Sequence, residues 1–78
     1  MKELIEYIAK SLASKPEEVK VTEEIEEGDE GRIVLRLEVA EEDKGKMIGR
    51  QGRVVQAVRV LLRVAAVKSG VRAVLEIV

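Results

Sequence analysis

Apolar residues recur every three or four positions at the start of the chain. Leu4, Ile5, Ile8, Ala9, Leu12 and Ala13 share one side, and Lys2, Glu3, Glu6 and Lys10 take the other. That period predicts an amphipathic helix. Lys15-Pro16 ends it, because the residue before a proline is pushed out of the α region. The pattern then changes to alternation. Val19, Val21 and Ile25 point one way, with Glu23 interrupting the apolar row, and Ile33, Leu35, Leu37 and Val39 alternate with Arg32, Val34, Arg36 and Glu38. Between these two strands lies Glu27-Gly28-Asp29-Glu30-Gly31, a charged segment with two glycines that reads as a hairpin connection.

Beyond Ala40, Glu41-Glu42-Asp43 suit the first turn of a helix, where the dipole favours negative charge. This helix is expected to be short and to end near Ile48, where Gly49-Arg50-Gln51-Gly52 interrupts it. A longer helix is expected from about Arg53 to Ser69, with Gly70 as a left-handed C-cap. Its polar stripe, Gln56, Arg59 and Arg63, is narrow, and the rest is almost entirely Val, Ala and Leu. Val71, Ala73, Leu75 and Ile77 alternate in a last strand. The order helix, strand, strand, helix, helix, strand predicts one α+β domain over residues 1–78, with helices on one face of a three-stranded sheet.

Composition narrows the chemistry. The chain has 78 residues, of which 46% are hydrophobic and 37% charged, with no Cys and no His. That removes disulfides, thiol nucleophiles, imidazole bases and the usual zinc ligands. The serines, Thr22 and Tyr7 have no visible base to activate them, so neither catalysis nor a cofactor is expected. The acidic run over 23–30 lacks the alternating ligands of a calcium loop. The most apolar stretch, Val54–Val67, contains Gln56, Arg59 and Arg63 and is too short and too charged for a membrane span. A cytoplasmic protein without a membrane partner is the expectation.

The net charge of −1 conceals a polarity along the chain. Residues 1–43 hold six basic and fourteen acidic side chains (−8), and residues 44–78 hold eight basic and one acidic (+7). Such asymmetry directs attention to a polyanion partner for the basic part. Gly49-x-x-Gly52 lies within that part, between two helices and not after a strand. This placement argues against a dinucleotide-binding turn or a P-loop, and the P-loop Lys-Ser/Thr is missing.

Lys46-Met47-Ile48-Gly49-Arg50-Gln51-Gly52-Arg53-Val54-Val55 resembles the GXXG signature of KH domains, and the element order resembles the prokaryotic, type II arrangement. Met1–Tyr7, the Lys15–Val19 corner and Glu42–Lys46 are similar to the small stand-alone bacterial KH proteins of the KhpA type. The resemblance implies a clamp on about four nucleotides of single-stranded RNA or DNA, with Gly49, Arg50, Gln51 and Gly52 meeting the phosphates. It also implies a role as RNA chaperone or post-transcriptional regulator, and pairing with itself or with a larger KH-containing partner.

The residues agree with it. Glycines let a backbone approach a phosphate closely, the start of the longer helix offers N–H groups and a positive dipole end, and Lys44, Lys46, Arg50 and Arg53 surround the loop with cations. Tyr7 is the only aromatic, so a stacking platform is excluded. Ile48, Val55 and the strand Ile33–Val39 are the candidate walls of an aliphatic groove for bases. Arg59, Arg63, Lys68 and Arg72 read as a solvated basic face. The rival to RNA binding is an interaction subunit, since the Val/Ala/Leu-rich long helix exceeds what one small sheet needs to cover it.

Overall fold

The first apolar period becomes α1 (Lys2–Leu12), with Ile5 and Ala9 buried. Lys15 takes φ −121°, outside the α region as its proline requires, and Pro16–Glu18 form a 3-10 turn that the periodicity does not announce. Two seven-residue strands follow, β1 (Lys20–Glu26) and β2 (Arg32–Glu38). They pair antiparallel, from Lys20 opposite Glu38 to Glu26 opposite Arg32. The computed structural model describes residues 1–26 and 31–78. The expected hairpin connection therefore falls, apart from Gly31, outside the described residues.

The acidic start of the next helix is a 3-10 turn, Glu41–Asp43, leading into α2 (Lys44–Ile48). The loop motif separates α2 from α3 (Arg53–Ser69), which ends at Gly70 with φ 73° and ψ 26°. The Gly70 N–H donates to the Val67 carbonyl and the Val71 N–H to the Ala66 carbonyl, the paired bonds of a Schellman cap. β3 (Arg72–Ile77) then returns parallel to β2, giving a mixed sheet of order β1-β2-β3. The α+β class, the element order and the three-stranded sheet expected from the sequence are all present.

The core lies between the helices and one sheet face. Leu35, at the middle of the central strand, is fully buried, and Leu37, Leu75 and Val21 flank it. From α3 the core receives Val55, Val58, Leu62 and Ala66, a spacing of three and four that keeps one stripe inward. The opposite side of the same helix is apolar as well. Val60, Leu61, Val64 and Val67 are each more than half exposed. One strand residue breaks the expected alternation. Val34 faces the helix-free side of the sheet, yet it is only 2% exposed. It sits between Glu24 and Val74 in register, flanked along β2 by Arg32, paired with Glu26, and Arg36, paired with Glu24 and Glu76. The stems of those long side chains cover apolar surface while their heads stay in water.

Candidate nucleic-acid interface

The loop owes its shape to three successive departures from ordinary backbone. Gly49 has φ 77° and ψ 171°, Gln51 φ 57° and ψ 26°, and Gly52 φ 73° and ψ 15°. A bond from the Gly52 N–H to the Gly49 carbonyl (3.1 Å) closes the turn. The two glycines serve different purposes. A Cβ on Gly49 would lie 2.4 Å from Val54 Cγ2 and 2.9 Å from the Val54 backbone nitrogen, so this glycine lets α2 abut the start of α3. A Cβ on Gly52 would meet only Val55 Cγ1, at an ordinary 3.9 Å. Gly52 is needed for its left-handed φ and leaves open space beside the first turn of α3.

That first turn has neither a side-chain cap nor an acidic residue. Arg50 and Arg53 stand beside it instead, with Arg53 Nη2 donating to Gln51 Oε1 at 3.4 Å. Cations at a helix N-terminus oppose the dipole, so the arrangement is electrostatically unfavourable until an anion arrives. Among the described residues, no carboxylate forms an ion pair with Arg50 or Arg53.

Lys44 and Lys46 are placed differently from these arginines. Lys44 Nζ lies 3.2 Å from Glu41, and Lys46 Nζ lies 3.8 Å from Asp43 and donates to Ser14 Oγ. Both lysines are thus partly neutralised by acids of their own turn. Asp43, with no exposed surface, is the anchor of this corner. Its carboxylate accepts the backbone N–H groups of Ser14 and Lys15, both at 3.0 Å, and so ties the end of α1 to the start of α2.

The Ser14 N–H bond, followed by the Lys15 N–H and the Lys46 charge, holds the Asp43 carboxyl below its ordinary value of 3.8. A depressed folded-state pKa stabilises the fold above the unfolded value and ceases to do so as pH falls through the folded one. Asp43→Asn keeps the shape but loses the charge and one acceptor oxygen. Its melting temperature is expected to fall by roughly 10 °C or more at pH 7. Thermal melts from pH 7 to pH 2 check this, with the gap from the parent narrowing below about pH 4.

The expected groove walls fall in other places. Ile48 is part-exposed beside the loop, but Val55 is 6% exposed and belongs to the core beneath it. The strand Ile33–Val39 is not available as a wall, because β2 is the central strand and its apolar face is covered by helices. The open trough adjoins β3 instead, one of the two edge strands. It runs between that edge and α3, lined by Arg59, Leu62 and Arg63 on one side and Ala73–Leu75 on the other. Arg59 Nη2 reaches the Leu75 carbonyl at 3.4 Å. Two residues read from the sequence as a solvated face therefore line a groove. The signal was present in the three-and-four spacing of Gln56, Arg59 and Arg63 on an otherwise apolar helix. Only the position of β3 at the sheet edge gives that stripe something to face.

Comparison with known proteins shows the family and the fold. Residues 2–77 match the family described as KhpA/KhpB, KH domain. RNA-binding protein KhpA of Clostridium perfringens is 50% identical over 78 residues, the whole of both chains. RNA-binding protein KhpA of Treponema pallidum is 49% identical over 76 residues, covering 97% of this chain and 91% of that protein. Among solved structures, Era of Aquifex aeolicus shares the fold with a TM-score of 0.68 at 24% identity, over 97% of this chain and 28% of that one. The chain belongs to the KhpA/KhpB family of KH-domain proteins.

Proposed function

We propose that residues 1–78 form a single KH domain that binds single-stranded RNA without catalysis. The observation that carries this reading is the uncapped, acid-free start of α3, set behind two left-handed loop residues and flanked by Arg50 and Arg53. Phosphates meet the N–H groups of that turn, with Gly49 and Gly52 giving the loop its path. Arg50, Gln51 and Arg53 hold the backbone of the bound strand, and Lys44 and Lys46 supply a weaker outer field. Gln56 and Arg59 continue the path along α3, and the bases lie against Ile48 and the β3 edge. Single-stranded DNA presents the same phosphates and is a second ligand for the clamp. No cofactor enters this mechanism.

The naming of the relatives as RNA-binding proteins supports the assignment. Family membership further supports a bacterial, cytoplasmic RNA chaperone or post-transcriptional regulator. Among the described residues no helix is long and apolar enough to cross a membrane. A clamp on about four nucleotides predicts a slope of log K against log salt near −3, at roughly 0.7 per phosphate contact on a single strand. Fluorescence anisotropy with a labelled single-stranded RNA across a salt series measures it, and a flat dependence overturns the reading.

A second reading rests on α3 alone. Val60, Leu61, Val64 and Val67 recur at helical spacing on its outward side, which suits pairing with another copy or with a larger KH-containing protein, as for an interaction subunit. Val64→Glu is expected to convert such an assembly to monomers in sedimentation analysis while leaving RNA affinity of the monomer in place. A parent that stays monomeric, alone and with that KH-containing protein, at concentrations well above those of the RNA assay removes this reading.

A further inference from the structure

The two edges of the sheet are finished differently. Along β3, α3 lies close enough for Arg59 to donate to the Leu75 carbonyl. β1 has β2 on one side and, among the described residues, no strand on the other. It is seven residues long and six of them are exposed. Every second residue of an edge strand turns its N–H and C=O groups outward, where another chain can pair with them. We propose that the free edge of β1 docks an extended, lysine- or arginine-bearing segment of another protein, which joins the sheet as a fourth strand.

Proteins close such edges with short strands, prolines or bulges. β1 has no proline, and its register with β2 runs unbroken from Lys20 to Glu26. What it carries instead is acid. Residues 17–26 hold five glutamates and one lysine, a charge of −4. Pairing with a second copy would set −4 against −4, whereas a basic strand gains from the same field. Phosphates are repelled, so this edge is no extension of the RNA path, which follows the loop and the opposite edge of the sheet.

The side chains give the partner a pattern. Glu24 and Glu26 are already paired with Arg36 and Arg32 of β2. Glu23 points to the other face and, among the described residues, forms no ion pair. Ile25 shares that face and is 68% exposed, although Val21 on the same face is buried in the core. An added strand therefore meets a free carboxylate and an uncovered apolar side chain two residues apart. Cross-strand pairing favours a cation opposite the first and an apolar residue opposite the second.

The test titrates the full isotope-labelled chain with a blocked heptapeptide of alternating lysine and valine, followed by NMR. A glutamate–valine heptapeptide is the control. The lysine peptide should shift the amides of residues 20–26 most and slow exchange at alternate ones, and the control should do neither. Glu23→Lys should weaken binding about tenfold with the melting temperature little changed, since the side chain is exposed. Thr22→Pro and Glu23→Pro form a second test. Neighbouring residues face opposite ways, so one of the two removes an outward N–H and spares the ladder, as edge strands tolerate. That folded variant should also bind at least about tenfold more weakly. No binding of the lysine peptide overturns the proposal, as do shifts spread over the whole chain or an equal response to the control. Parental affinity in Glu23→Lys or in the folded proline variant overturns it too. Shifts of these same amides with protein concentration alone would give the edge to a second copy and overturn it as well.

Discussion

Arg50→Asp combined with Gln51→Asp is expected to weaken single-stranded RNA binding by about 30- to 100-fold. Two or more charge-assisted contacts are lost and two anions now face the strand, a change of about 2–3 kcal/mol at ~1.4 kcal/mol per decade. The fold should survive. Both side chains are exposed, and the left-handed backbone at Gln51 (φ 57°) is one that aspartate tolerates better than most residues. The melting temperature should therefore remain within a few degrees of the parent's, while the salt slope falls by about 0.7 for each phosphate released. A folded variant that binds RNA with the parent's affinity would show that the loop is only a corner between two helices.

The second large effect concerns stability and separates the two glycines of the motif. Gly49→Ala should destabilise the domain by about 3–5 kcal/mol. A backbone near φ 77°, ψ 171° is essentially restricted to glycine and costs ~1–3 kcal/mol otherwise, and forcing α2 away from α3 adds ~1–3 kcal/mol. Relief by side-chain movement alone is blocked, because one of the atoms within 3 Å is the Val54 backbone nitrogen. For a chain of this size, whose whole stability is of order 4–12 kcal/mol, that is a large share. Gly52→Ala should cost only the left-handed penalty, about 1–2 kcal/mol, since the added methyl meets nothing closer than 3.9 Å. Urea denaturation of the two variants measures the difference, and equal losses would contradict the division of roles.

These outcomes bear on how the motif is read from sequence. Two glycines three apart admit two purposes, close approach to a phosphate and tight packing at a corner between helices. Gly49 is first a packing requirement between helices, whereas Gly52 is required for its left-handed φ and the Arg50-Gln51 pair is exposed. Nothing in the spacing could distinguish them, because the neighbour that excludes a side chain at Gly49 is Val54, brought back by the chain reversal. Lys44 and Lys46 illustrate a similar limit. As residues they are cations next to a loop, but Asp43 lies buried between the end of α1 and the start of α2, and its position turns Lys46 toward Ser14.

What the sequence determined by itself is the set of elements and their order. Periods of 3.6 and 2 are local consequences of which side chains leave water. Helix ends at Lys15-Pro16 and Gly70 follow from backbone preferences of single residues, and the loop motif is contiguous. The tertiary structure alone decided that β2 is the central strand and β3 an edge, which withdrew Val55 and the strand Ile33–Val39 from the groove and brought Arg59 and Arg63 into it. It also decided which cations are matched by acids. The physical reason is common to these cases. Sheet order, edge exposure and ion pairing depend on contacts between residues distant in the chain, and a periodicity reports only which way each residue faces.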